Sequence, residues 1–312
     1  MKNKFNTNVC SALAFVISSG FGITSALATE NGNTAYPTGV DSYDVAMVPP
    51  PGHAALLNYS EYLNANVYSG TSKIDGSKVG VFVTAFRGVY SWPVAYNDGT
   101  ITLSSDLIFG GGSVHLKLPF AGGMQNSSTG LINPCIWPVS LNYHKDGTFF
   151  SGTVAVWLPF GTYNKNNSPM NGNPTTGLGL NYYSFAPTFY LTQFVGPNLQ
   201  LDFTSVTEFN TENHHTNYQS GAAETFIFGS GYTVVPHLQV GPTAYIYDQF
   251  TDDKQNGVVY NNGNRGRSFA IGAQAVYSLG MGAIGAKYYH NAWVKNKSGG
   301  DQFWLEWMVP LG

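Results

Sequence analysis

Apolar and polar residues alternate along much of the chain. Over 199–209, Leu199, Leu201, Phe203, Ser205, Thr207 and Phe209 share one face, and Gln200, Asp202, Thr204, Val206 and Glu208 share the other. A period of two is the mark of a strand with one apolar and one polar face. The stretch 114–120 sets Val114, Leu116, Leu118 and Phe120 against His115 and Lys117. The chain end sets Phe303, Leu305, Trp307, Val309 and Leu311 against Trp304, Glu306, Met308 and Pro310. Twelve such segments are predicted, near 53–63, 79–92, 113–120, 131–144, 149–159, 178–191, 199–209, 217–228, 232–249, 267–277, 283–295 and 301–311. None fits an amphipathic helical period, and no capped helical run accompanies them.

The connections differ in length with a parity. Short ones are predicted at 145–148, 229–231 and 278–282, where Asp146-Gly147 and Gly-rich pairs favour tight hairpins. Long ones are predicted at 64–78, 160–177 and 250–266, with 210–216 between the two classes. Long loops thus gather at one end and short turns at the other, which is the habit of an outer-membrane barrel. The 93–112 connection breaks the parity and has room for an extension of the third strand. The fold expected is all-β, a transmembrane antiparallel up-and-down β-barrel of about twelve strands. An even strand count puts both termini on the periplasmic side.

Composition agrees. Aromatics are abundant (20 Phe, 20 Tyr, 6 Trp) and charged residues make up 10% of the chain. That combination excludes intrinsic disorder. A net charge of −3 without a basic run argues against a nucleic-acid partner. Lys2 and Lys4, an apolar stretch through Ile23 and the small-x-small triplet Ala26-Leu27-Ala28 read as a secretory signal peptide over 1–28. Export to the bacterial outer membrane follows as the expected localisation. The remainder divides into an N-terminal periplasmic segment or plug at 29–52, holding Pro49-Pro50-Pro51, and a barrel at 53–312. Beyond the leader the sequence keeps one cysteine, Cys135, so no intramolecular disulfide is possible, and it reads as a small apolar side chain on a strand. Tyr90, Trp92, Trp137, Tyr143, Tyr288 and Trp307 lie near strand ends or on apolar faces, suited to a membrane interface.

In a barrel the polar faces line the lumen. The lining candidates are Arg87, His115, Lys117, Gln200, Asp202, Glu208, Gln239, Gln249, Gln274, Lys287 and Glu306. Both charge signs are present, so Arg87, Lys117 and Lys287 can pair across the barrel with Asp202, Glu208 or Glu306, or form a constriction that selects solutes. Eight strands leave an interior just filled by side chains and sixteen to eighteen leave an aqueous channel, so about twelve predict a narrow or plugged lumen.

Chemistry of other kinds finds little support. A phospholipase-like site would need a Ser and a His on the outer wall, from Ser140, Ser184 or Ser205 and His144, His237 or His290, and no suggestive spacing or nucleophile elbow joins them. His214-His215 with Glu212 offers at most a weak surface metal site. The expectation is a non-enzyme with no cofactor, whose partners are outer-membrane lipid and a small hydrophobic or aromatic solute.

Several ordered blocks resemble the meta-pathway phenol-degradation family of outer-membrane barrels. They are 36–40 leading to Val48-Pro49-Pro50-Pro51-Gly52, then Leu158-Pro159-Phe160-Gly161-Thr162-Tyr163-Asn164, 218–224, 248–254, Gly263-Asn264-Arg265-Gly266-Arg267-Ser268-Phe269-Ala270-Ile271-Gly272, and 300–305. The 263–272 block is the most specific. The resemblance implies an outer-membrane protein that passes small hydrophobic or aromatic compounds, and it does not imply an enzyme. The chain departs from the usual aromatic terminus by ending Pro310-Leu311-Gly312. The alternative function is a structural or surface-binding barrel with a filled lumen.

Overall fold

The computed structural model describes residues 30, 34–119, 124–163 and 177–311. The predicted leader 1–28 and most of the predicted long loop 160–177 lie outside the described residues. Twelve antiparallel strands follow one another around a closed barrel. They are β1 (Ala54–Ser69), β2 (Lys78–Tyr96), β3 (Ile101–Leu118), β4 (Cys135–Lys145), β5 (Thr148–Trp157) and β6 (Ser184–Val195), then β7 (Leu199–Asn210), β8 (Ala223–Val235), β9 (Leu238–Gln249), β10 (Arg267–Ser278), β11 (Ala283–Lys295) and β12 (Ser298–Leu311). Each pairs with its neighbours in sequence. The seam closes by pairing of β12 on β1, from Ala54↔Leu311 to Val67↔Ser298, so the barrel has no free edge.

Alternation sets the two surfaces. On β7, Gln200, Asp202, Thr204, Val206 and Glu208 are buried inside, while Leu201 and Phe209 are exposed on the outer wall. Tyr62, Phe82, Leu107, Phe109, Ile271 and Leu305 continue that apolar outer surface. An outer wall of this kind suits hydrocarbon, and the inward polar groups are spared it.

The connections at one end are tight: 97–100, 146–147, 196–198, 236–237 and 279–282. Asp146 and Gly147 both take positive φ, 49° and 79°, the requirement of a two-residue hairpin whose twist matches its strands. The other end carries 70–77, 119–134, 158–183, 211–222 and 250–266, together with the tight pair 296–297. We call these the turn end and the loop end. At the loop end a short strand, Met124–Leu131, extends the wall beside β3. A three-stranded sheet of Tyr218–Gln219, Lys254–Gln255 and Val258–Val259 ties two loops together.

Three expectations about elements are corrected. The third strand runs from Ile101 and occupies most of the predicted 93–112 connection, leaving a turn of four residues. Gly229-Ser230-Gly231 is not a turn: it lies inside β8, and the true hairpin is 236–237. The two ends of the described residues also part company. Leu311 is at the turn end, paired with Ala54, but Glu30 is held at the loop end by Asn213, Thr216 and Ser220.

Candidate functional site

The segment 34–52 runs through the barrel interior, from the loop end to the turn end. Beyond its start, Glu30 takes hydrogen bonds from Asn213 Nδ2 and Thr216 Oγ1, both at 2.7 Å, and its own N–H donates to Ser220 Oγ. Burial pushes the Glu30 carboxyl up from the usual carboxylate range, opposed by those hydrogen bonds. Next, Ala35 and Tyr36 donate their backbone N–H groups to Glu208 Oε1 at 2.9 and 3.1 Å. Gln302 Nε2 donates to the Thr38 carbonyl, Tyr289 OH to that of Gly39, and Lys287 Nζ to that of Val40. Ser42 and Gln274 exchange two hydrogen bonds, and Gln200 Nε2 donates to Asp44 at 2.9 Å. At the turn end Ser91 Oγ donates to the Pro49 carbonyl, and His53 leads into β1. An extended segment has unpaired backbone groups, and the inward polar side chains of the barrel satisfy many of them.

The wall is shaped for this segment. Small residues Ala85, Ala155, Ala186 and Ala270 face inward where Tyr36 and Val40 pack. A Cβ on Gly229 would sit 1.7 Å from the Ser42 carbonyl oxygen, and one on Gly285 would sit 2.3 Å from Tyr43 OH. These two glycines in mid-strand are therefore clearance for the segment rather than turn signals.

A layer centred on Arg87 crosses the lumen. Arg87 Nε donates to Asp106 Oδ2 at 2.9 Å, its second nitrogen also pairs with Asp106, and Asp41 of the segment lies 3.7 Å away. The guanidinium stacks 4.4 Å from the Trp137 ring centre. Tyr36 OH donates to Asp41, and Tyr190 OH reaches the same carboxylate. Lys287 pairs with Glu306 on the neighbouring strand at 2.5 Å.

On either side of this layer is a cavity. The loop-side chamber measures about 210 Å³. Val79, Val81, Val83, Ile108, Val114, Leu116 and Trp157 form its apolar wall, and Glu61, Asn291, Lys297 and Gln302 form a polar side. Burial pushes the Lys297 ammonium, on the 296–297 hairpin, down to about 8, with Glu208 and Glu61 opposing the shift. The turn-side chamber measures about 400 Å³ and is bounded by Tyr43, Met47, Pro49, Leu57, Val89 and Leu311 among others. Val40 and Tyr59 touch both chambers.

Most of the predicted lining residues face inward. Arg87, Gln200, Asp202, Glu208, Gln249, Gln274, Lys287 and Glu306 are buried or nearly so, and Gln239 faces inward near the turn end, close to Gly231. His115 and Lys117 are corrected. Val114 and Leu116 take the inner face there, and His115 is exposed outside, hydrogen-bonded to Ser127 at 2.7 Å. β3 has 18 residues, more than the roughly 9–11 that cross a membrane. A strand of that length outruns the hydrocarbon, and in its last part the polar face with His115 is outside and the apolar face with Val114 and Leu116 is inside. The cross-barrel pairing is also corrected: the cations pair with Asp106, Asp41 and Glu306, while Asp202 and Glu208 serve the segment. Trp137 is buried in the lumen rather than at a membrane interface, and Cys135 is buried in the same inner cluster. His214 lies 3.5 Å from Glu212, but His215 stacks on Tyr163 instead. Sequence reading missed Asp41, Asp106 and Lys297. Asp41 and Lys297 lie outside the periodic segments, and Asp106 fell in the unassigned connection.

The barrel resembles solved outer-membrane proteins. The COG4313 outer membrane channel from Pseudomonas putida F1 superposes with a TM-score of 0.72 at 13% identity, over 87% of this chain and 100% of that one. The β domain of the Bordetella autotransporter Brka gives 0.47 at 10% identity, over 82% and 99%. A Pseudomonas aeruginosa FadL homologue gives 0.41 at 9% identity, over 91% and 96%. No curated protein matches the sequence. Residues 64–307 match the family model described as putative MetA-pathway of phenol degradation, and the chain belongs to that family.

Proposed function

We propose that the protein is an outer-membrane channel for small hydrophobic or aromatic compounds and carries out no catalysis. The observation that carries this reading is the divided lumen. Two chambers of about 210 and 400 Å³, lined largely by apolar side chains, lie on either side of one layer crossed by a single extended segment. An apolar cavity of about 150 Å³ already admits benzene. Each chamber is therefore large enough for a one-ring solute, and the barrier between them is a segment held by hydrogen bonds, the Asp41–Arg87 ion pair and the packing of Tyr36 and Val40. The similarity to an outer membrane channel and the family description agree with this reading.

The test is uptake by intact cells. Cells producing the protein should accumulate labelled toluene faster than cells carrying an empty vector, and equal rates would overturn the proposal. A second reading, a structural barrel with a filled lumen, draws on the same layer of Arg87, Asp106, Asp41 and Tyr36. Planar-bilayer recordings separate the two. Removing 30–48 should raise single-channel conductance if the segment is the barrier, whereas an unchanged silent barrel favours the filled lumen.

A further inference from the structure

We propose that the loop-side chamber holds a binding subsite for a small apolar molecule ending in a carboxylate, with Lys297 as the group that receives the carboxylate. This deepens the channel reading and rests on it.

Lys297 borders the chamber and is 9% exposed. Its ammonium has no hydrogen-bond or ion-pair partner among the described residues. The face of the Tyr247 ring, 4.4 Å away, is its one close compensation. Burying an ammonium without paired acceptors is costly. The other buried lysine in the lumen, Lys287, has Glu306 and the Val40 carbonyl against it. Each of the two carboxylates whose fields reach Lys297 has one oxygen engaged elsewhere, while Glu208 Oε2 is buried without a hydrogen-bond partner among the described residues. Glu61 Oε1 accepts from Gln302 Nε2 at 2.7 Å, and Glu208 Oε1 accepts two backbone N–H groups of the segment. Neither approaches within ion-pairing distance of the ammonium.

Two more donors border the same space without acceptors. The indole Nε1 groups of Trp157 and Trp304 are buried and unpaired. The lining of the chamber thus holds an unpaired ammonium and two residues with unpaired indole N–H groups against one unpaired neutral acceptor, Gln302 Oε1, together with the apolar Val79, Val81 and Val83. A neutral hydrocarbon would satisfy the wall and leave the ammonium bare. A hydroxyl would offer it a single neutral acceptor. A carboxylate offers charge and two oxygens, and charge-assisted hydrogen bonds are about twice as strong as neutral ones.

The experiment is calorimetric titration of the detergent-solubilised full-length barrel with benzoate, benzyl alcohol and toluene, in wild type and in Lys297→Met. Benzoate should bind wild type more tightly than benzyl alcohol. The substitution should weaken benzoate about tenfold or more while moving benzyl alcohol less than about twofold. Lys297→Arg should retain most of the benzoate affinity. Equal benzoate binding in wild type and Lys297→Met would overturn the proposal, as would equal binding of benzoate and benzyl alcohol to wild type.

Folding of the variants is read from their heat-modifiable gel migration. Should Lys297→Met not fold, wild type alone decides. Benzoate stays ionised near neutrality, so its affinity should fall as the pH is raised past about 8 and the ammonium loses its proton. The titratable groups facing Lys297 are Glu61 on β1, Glu208 on β7 and Tyr247 on β9. A flat affinity across that range would overturn the subsite. Failure of toluene uptake by cells defeats the channel reading itself, whereas toluene uptake with Lys297-independent benzoate binding defeats this inference alone.

Discussion

Lys287 and Glu306 face each other inside the barrel with side chains 0% and 5% exposed, so neither charge is solvated without the other. Removing one partner of such a pair leaves a buried charge and costs about 3–5 kcal/mol. Lys287→Met should therefore lower the denaturant midpoint of the refolded barrel, and Lys287→Met combined with Glu306→Leu should recover much of the loss. A double variant no more stable than the single one would show that the pair is not coupled. At this scale the sequence was legible as parity: Gln200, Asp202, Glu208, Gln274, Lys287 and Glu306 all sit on the face that alternation assigned them. Alternation separates two faces but does not say which solvent each one meets. His115 and Lys117 share a correctly drawn face, yet that face looks to water above the membrane. Lys297 carries no periodic signal, because its environment is assembled from β1, β7 and β9.

Strands were legible where both faces kept their contrast, and their ends were lost where something other than lipid or water set the pattern. Gly229 and Gly231 resemble turn residues in isolation, but Gly229 lies against the Ser42 carbonyl and Gly231 against Gln239. The same logic applies to Gly285, whose missing side chain leaves space for the Tyr43 hydroxyl. Gly285→Val should push Tyr43 aside and loosen the segment without breaking the β10–β11–β12 ladder. The expected outcome is a barrel that still migrates as folded on a gel and opens more often in bilayer recordings. Wild-type recordings from the variant would show that the segment does not govern the opening. No local pattern announces such a glycine, since its partner lies far away along the chain.

For the whole molecule, closure and handedness of the ends followed from strand number and loop parity, and the path of residues 34–52 did not. Proline-rich chains before a first strand look alike whether they hang free or enter the lumen. Here the segment climbs from β1 at the turn end to Glu30 at the loop end. In outer-membrane barrels the long loops face outward, which predicts that the Glu30 end of the segment faces the cell surface. An epitope tag placed just ahead of Glu30 should be detected by antibody on intact cells. Detection only after the outer membrane is permeabilised would place that end in the periplasm instead.

The seam between β1 and β12 is fully registered, and the segment inside it is joined covalently to the wall where His53 enters β1, while at the loop end Glu30 is held by hydrogen bonds to Asn213, Thr216 and Ser220. A thread fixed covalently at the bottom of a ring and by hydrogen bonds at the top has a single way out once those bonds break. It can slide downward with its hydrogen-bonded end following, and the ring need not open. Upward travel is stopped by the tether. The geometry thus favours clearing the lumen by a pull at the turn end over one at the loop end, which makes the segment a bolt drawn from the side on which it is joined to the wall.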